Sequence, residues 1–147
     1  MNLNSQEVYI QGGGTLDDWA NLSMYAKSNK ELINSSDKNR VVFMGNSITQ
    51  GWSNFDPNFF IENPFINRGI SGQTTPQMLI RFKPDVVNLK PKAVVILAGI
   101  NDIAGNTGPI KIENIAENIF SMSEIAKANN ITAVSYTHLR AHETSQH

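Results

Sequence analysis

The chain has 147 residues, 40% hydrophobic and 17% charged, which fits one globular domain with a real core and excludes a disordered chain. A formal net charge of −1 gives no electrostatic reason for nucleic acid or an anionic membrane as the main partner. Cysteine is absent, so disulfides and thiolate zinc sites are excluded, and no apolar run approaches the ~20 residues of a membrane span. Met1 to Gln6 lacks the basic start and apolar stretch of a secretory signal, which leaves localisation open.

Gln11-Gly12-Gly13-Gly14 reads as a hinge before a helix. A phosphate cradle would need a following Gly-Lys-Ser/Thr, and the chain offers Thr15-Leu16-Asp17-Asp18. Thr15 with Asp18 fits a capping box, so a helix is expected through Leu16, Trp19, Leu22, Tyr25 and Ala26, ended by Asn34 to Asp37. Val41 to Met44 reads as a first buried strand. Asp56-Pro57 opens a short helix through Phe59, Phe60 and Ile61, and Phe65 to Ile70 is a second strand. Thr75-Pro76 repeats the cap signal before Met78, Leu79 and Phe82; Pro84 breaks that helix, and Val86, Val87 and Leu89 form a further short turn. Ala93 to Ala98 is apolar on both faces, as a central parallel strand should be. Ile112, Ile115, Ala116, Ile119, Phe120 and Met122 recur at helical spacing, and Ile131 to Val134 begins a fourth strand.

Alternation of strand and helix predicts an α/β fold, a doubly wound (flavodoxin-like) parallel sheet with flanking helices. Right-handed crossovers then put every strand's carboxyl end on one side, where ligands collect in open α/β sheets. Three apolar runs end there in small polar clusters: Gly45-Asn46-Ser47, Gly69-Ile70-Ser71-Gly72 and Gly99-Ile100-Asn101-Asp102. Taken singly, Ser47 could cap a turn, Gly72 could serve a tight turn, and Asn101 and Asp102 could be turn residues. Their joint placement points to a site, with Ser47 as nucleophile. Asp102 is expected to be structural, satisfying loop N–H groups. Trp52 and Phe55 are expected to pack in the core, and Arg68 to be solvated or salt-bridged.

The pattern ends after Val134. Residues 135–147 have no helical or strand period and hold all three histidines, His138, His142 and His147. Their spacing is not a metal-ligand pattern, and no metal or cofactor is expected. The string from Val134 to Thr144 resembles a translated sequencing-library adapter, so residues 1–134 are read as a partial domain, incomplete after the fourth strand, and 135–147 as a non-native tail.

The three strand-end clusters resemble the signature blocks of the SGNH hydrolases, the GDSL-type esterase/lipase superfamily. Gly45-Asn46-Ser47 is similar to the block that carries the nucleophile. Asn67 to Thr74 is similar to the block whose glycine, here Gly72, lends a backbone N–H. Gly99-Ile100-Asn101-Asp102 is similar to the Gly-x-Asn-Asp block, whose asparagine, here Asn101, lends a side-chain amide. The resemblance covers about Arg40 to Val134. It implies a serine acylhydrolase acting on an ester, with O-acetyl groups on carbohydrate among the small-molecule substrates, and a family often secreted or periplasmic. Two departures stand out. Asn46 replaces the Asp of the family's name, which keeps a hydrogen-bonding role and loses a base. The Asp-x-x-His block is absent, since Ser135, Leu139 and Thr144 precede the three histidines at that interval. No catalytic histidine or aspartate is therefore assigned, and this form is expected to be inactive. The alternatives are a non-catalytic ligand-binding module on the same scaffold and, lower, a flavodoxin-like or receiver-like domain, for which Met44 to Ser47 lacks the acidic cluster. Oligomeric state is not indicated.

Overall fold

A computed structural model describes residues 10–35, 37 and 39–137. Its elements are α1 (Ala26–Ile33), β1 (Val41–Gly45), α2 (Ser47–Phe55), α3 (Pro57–Ile61), β2 (Phe65–Gly69), α4 (Thr75–Asp85), a 3₁₀ turn (Val87–Leu89), β3 (Ala93–Ala98), α5 (Ile100–Ile103), α6 (Ile112–Ala128) and β4 (Thr132–Thr137). The four strands form one sheet in the order β2-β1-β3-β4, all pairs parallel. β1 is flanked by β2 and β3, and Gly45 stands opposite both Gly69 and Leu97. Chain direction across the sheet reverses there, and that is where a parallel sheet opens a crevice beyond its strand ends.

The sheet has an apolar layer on each face. Val42 and Met44 of β1, and Val94 and Ile96 of β3, pack with Met78 and Phe82 of α4 and with Ile115, Ile119 and Met122 of α6. Alternation along the strands sends these side chains to one face. Phe43 points the other way, into a ring cluster with Trp52, Phe59, Phe60 and Phe65; Trp52 stacks on Phe59 with centroids 4.5 Å apart. Each buried side chain of this size contributes about 1.5–3 kcal/mol over exposure.

Several expectations change. The helix predicted from Thr15 begins only at Ala26. Asp18 accepts from the N–H groups of Leu22 (2.7 Å) and Ser23 (3.1 Å), and Asn21 adopts φ +58, so the segment closes as turns that no helix can pass through. Leu16, Trp19 and Leu22 are exposed rather than core. α2 was not expected, because Gly51 and the polar Thr49, Gln50 and Ser53 dilute its pattern. Trp52 packs in the ring cluster as expected, but Phe55 is 91% exposed at the end of α2. The N-cap of α4 is Thr74, one residue before the Thr75 expected as the cap, and it forms a capping box with Gln77. β4 runs to Thr137, three residues past Val134. The three histidines fall outside the described residues.

Candidate active site

β1 ends at Gly45, and the chain turns at once into α2. Asn46 is the N-cap: its Oδ1 accepts from the Ile48 N–H at 3.2 Å, the hydrogen-bonding role left open by the loss of a carboxylate here. Ser47 is therefore the first residue of the helix, exposed, at the positive end of the helix dipole. Its N–H, in the first turn, has no intrahelical partner.

After β2 the chain makes a tight turn through Ser71 and Gly72. Gly72 has φ +80, which a side chain would strain. Ile70 N donates to Gly45 O (3.0 Å) and Ser71 N to Gln50 Oε1 (2.7 Å), tying this loop to β1 and α2. Among the described residues, no hydrogen bond uses the Gly72 N–H. The space beside its missing Cβ is occupied: a methyl there would lie 3.1 Å from Gln11 Oε1 and from Gly12 N.

After β3, Gly99 leads into the short α5, which carries Asn101. Asn101 Nδ2 donates to Gln73 O (3.0 Å), so one of its two N–H bonds is used to orient the amide. Asn106 Nδ2 donates to Gly72 O (3.0 Å) and Thr107 Oγ1 to Thr74 Oγ1 (3.0 Å). Asp102 is buried and accepts from Thr75 N (2.9 Å) and Thr75 Oγ1 (2.6 Å) at the start of α4, the structural role expected of it. Burial pushes its carboxyl above the usual aspartate value, and the Thr75 hydrogen bonds pull partly back. The Gly72 and Asn101 loops are thus joined by several side-chain bonds, and the Ser47 helix is joined to the Gly72 loop through Gln50 and Gly45.

Beneath these loops runs a chain of buried polar groups that sequence reasoning missed. Arg81 and Asp85, four apart on α4, form an ion pair at 3.1 Å with both side chains 0% exposed. Arg81 also donates to Gly45 O (3.2 Å) and to Gln73 Oε1 (2.5 Å). Asp85 accepts from Asn29 (2.6 Å), and Asn29 accepts from Arg68 (2.9 Å). Arg68 is buried, not solvated, and lies 4.5 Å from the centre of the Tyr25 ring; Tyr25 in turn donates to Gly69 O (2.6 Å). Desolvation lowers the pKa of both arginines, Asp85 opposing it, and raises that of Tyr25. The Arg81-to-Asp85 spacing was the readable signal; the long-range partners were not. Thr49 Oγ1 is buried without a partner among the described residues. A groove of about 580 Å³, bordered by Tyr25, Gln50, Ser53 and Arg68, lies along the outer side of β2, beside the three strand ends and not at them.

The family model described as "GDSL-like Lipase/Acylhydrolase family" matches residues 43–144. Two solved structures are similar over most of the chain. An acylhydrolase from Bacteroides fragilis is 56% identical, with a TM-score of 0.77, over 80% of this chain and 57% of its own. A GDSL-like lipase from Bacteroides thetaiotaomicron is 50% identical, with a TM-score of 0.76, over 79% of this chain and 57% of its own. The uncharacterized lipoprotein YqeF of Bacillus subtilis is 49% identical over 39 residues, 26% of this chain and 16% of that protein. The chain thus spans a little over half the length of the solved relatives.

Proposed function

This chain belongs to the GDSL-like lipase/acylhydrolase family, and we propose that it carries the nucleophile and the oxyanion hole of a serine esterase. In this reading Ser47 Oγ attacks the ester carbonyl carbon, and its proton passes to a general base. The carbonyl oxygen becomes an oxyanion, which accepts from the N–H of Ser47, the N–H of Gly72 and the second N–H of Asn101 Nδ2. Collapse of the tetrahedral intermediate expels the alcohol, which takes up the proton held by the base. Water then hydrolyses the acyl-Ser47 ester and regenerates the hydroxyl. Each donor is worth on the order of 3 kcal/mol because it is aimed before charge develops.

The observation that carries the reading is the Asn101–Gln73 bond. It fixes the carboxamide beside the Gly72 loop and leaves it a donor to spare. The dipole of α2 adds positive potential at Ser47. The substrate is an ester of a small molecule or a carbohydrate, O-acetyl groups among them. No residue of the chain is assigned as base, so the 147-residue form should label poorly with a fluorophosphonate. A longer form that carries an Asp-x-x-His block should label stoichiometrically at Ser47 and hydrolyse p-nitrophenyl acetate. Ser47→Ala must abolish that turnover; turnover that survives it overturns the assignment.

A further inference from the structure

The stretch from Ile10 to Ala20 has no regular secondary structure and lies outside the family match, which starts at Phe43. Yet it is fastened to the Gly72 loop and to the first turn of α4 by two fully buried glutamines, Gln73 and Gln77, for whose side chains the acyl-transfer chemistry has no direct use. Gln73 Nε2 donates to Gly12 O (2.9 Å) and Ala20 O (2.6 Å). Gln77 Nε2 donates to Gln11 O (2.8 Å) and Trp19 O (3.0 Å). The other end of each carboxamide is also engaged. Arg81 Nε donates to Gln73 Oε1, and Thr74 N donates to Gln77 Oε1 (3.0 Å). Neither amide can turn over without facing N–H against N–H, so both present their donors to the strap.

The backbones interlock as well. A Cβ on Gly72 would crowd Gln11 Oε1 and Gly12 N at 3.1 Å. Gly12 has φ +69, and a Cβ there would lie 2.6 Å from Gln73 Cγ and 2.8 Å from Gln73 N. The strap and the loop therefore fit as two halves of one clasp, and Gly12 is the glycine that the fit requires.

We propose that residues 10–20 are a working part of the candidate site. Gln73 is its positioning residue, and the strap locks the turn at Ser71 and Gly72 so that the Gly72 N–H stays aimed at the oxyanion. The functional half of this inference rests on the role given above to Gly72. A glycine turn can rotate its peptide at little cost. Held at Gly72 O by Asn106 and at Gln73 by the strap and Arg81, this one keeps a single orientation.

Amide hydrogen exchange on the 147-residue chain tests the lock without catalysis. Gly12→Ala should raise exchange at Gln73 and Thr74, whose N–H groups donate to Ile70 O and Gln77 Oε1, by about tenfold or more while the amides of Val94 to Leu97 keep their protection. Asp18→Ala, which opens the strap's own turn and touches nothing in the loop, should act in the same direction and guards against a folding failure in the first variant. No change at Gln73 and Thr74 in either variant, or a rise that merely tracks β3, overturns the lock. In a form that turns over p-nitrophenyl acetate, Gly12→Ala should lower kcat by about tenfold with KM nearly unchanged, the pattern of a lost transition-state interaction. Unchanged kcat beside raised exchange overturns the positioning role. The exchange result does not involve Ser47, so turnover surviving in Ser47→Ala would remove the esterase reading and leave the clasp to be judged by exchange.

Discussion

The interior of this protein has two regions held together by opposite means. Between the sheet and helices α4 and α6, the core is apolar, with Val42, Met44, Phe82, Ile96 and Met122 buried against one another. Between α1, β2, α4 and the strand ends lies a second interior that is polar, running Arg68–Asn29–Asp85–Arg81–Gln73. Apolar burial is non-directional and tolerates many arrangements of similar volume. A buried hydrogen-bonded chain tolerates one geometry, because every unmet donor or acceptor costs its full desolvation. The first region holds the sheet together; the second fixes where the loops at its rim can lie.

Breaking the polar region should have the largest effect. Arg81→Met leaves the Asp85 carboxylate buried without its ion-pair partner and strips one hydrogen bond each from Gly45 O and Gln73 Oε1. Denaturant unfolding should show a loss of about 3–5 kcal/mol. Arg81→Lys should recover only part of this, since an ammonium cannot reproduce a fork shared among Asp85, Gln73 and Gly45. Full recovery by lysine would mean that charge, not geometry, matters here.

The apolar region should respond less sharply to the same kind of test. Met122→Ala opens a cavity in the core and should cost about 2–5 kcal/mol. Met122→Leu conserves volume and should cost less than about 1.5 kcal/mol. The contrast between the two conservative replacements, Met122→Leu and Arg81→Lys, is the measurement that sharpens the comparison. Equal costs would erase the distinction between the two interiors.

The same contrast explains what could be read beforehand. The strands and α6 were legible because their apolar residues recur at the period of their own element, information local to ten or twenty residues. The strand-end triplets were legible for the same reason: each follows a run of apolar residues that stops at a small polar cluster. α2 was hidden because its polar Gln50 and Ser53 bond inward to Ser71 and Asn67 while its apolar Ile48 and Phe55 are exposed, leaving Trp52 to join the aromatic cluster with α3 and β2. The polar interior was hidden because its partners lie far apart, with Asn29 and Asp85 56 residues from each other. Leu16, Trp19 and Leu22 misled because helical spacing was read as a helix, while Asp18 offered the backbone a competing set of side-chain bonds. The expectation for Arg68 failed on the same ground: nothing near it in sequence shows that Asn29, Ser28 and Tyr25 surround it.

The smallest effect lies where the two regions meet. Asp102 sits at the apolar layer's upper edge, beside Asn101, and accepts from Thr75, whose hydroxyl also accepts from Asn118 of α6 (3.1 Å). Burial raises its carboxyl above the ordinary aspartate value, more than the Thr75 bonds lower it. A carboxyl that binds its proton more tightly folded than unfolded stabilises the folded state fully below the unfolded pKa, about 3.9. That contribution is lost as pH rises through the folded value. The neutral acid is thus the form the fold prefers, opposite to a surface carboxylate in a salt bridge. Asp102→Asn removes the titration and keeps an acceptor for the Thr75 N–H. Measured by denaturant midpoint across the acid range, the stability of the natural chain minus that of the variant should fall as pH rises from about 4 through the folded pKa. A difference that stays flat would mean that Thr75 compensates burial completely, and that this junction is as well solvated by protein hydrogen bonds as the Arg81 chain below it.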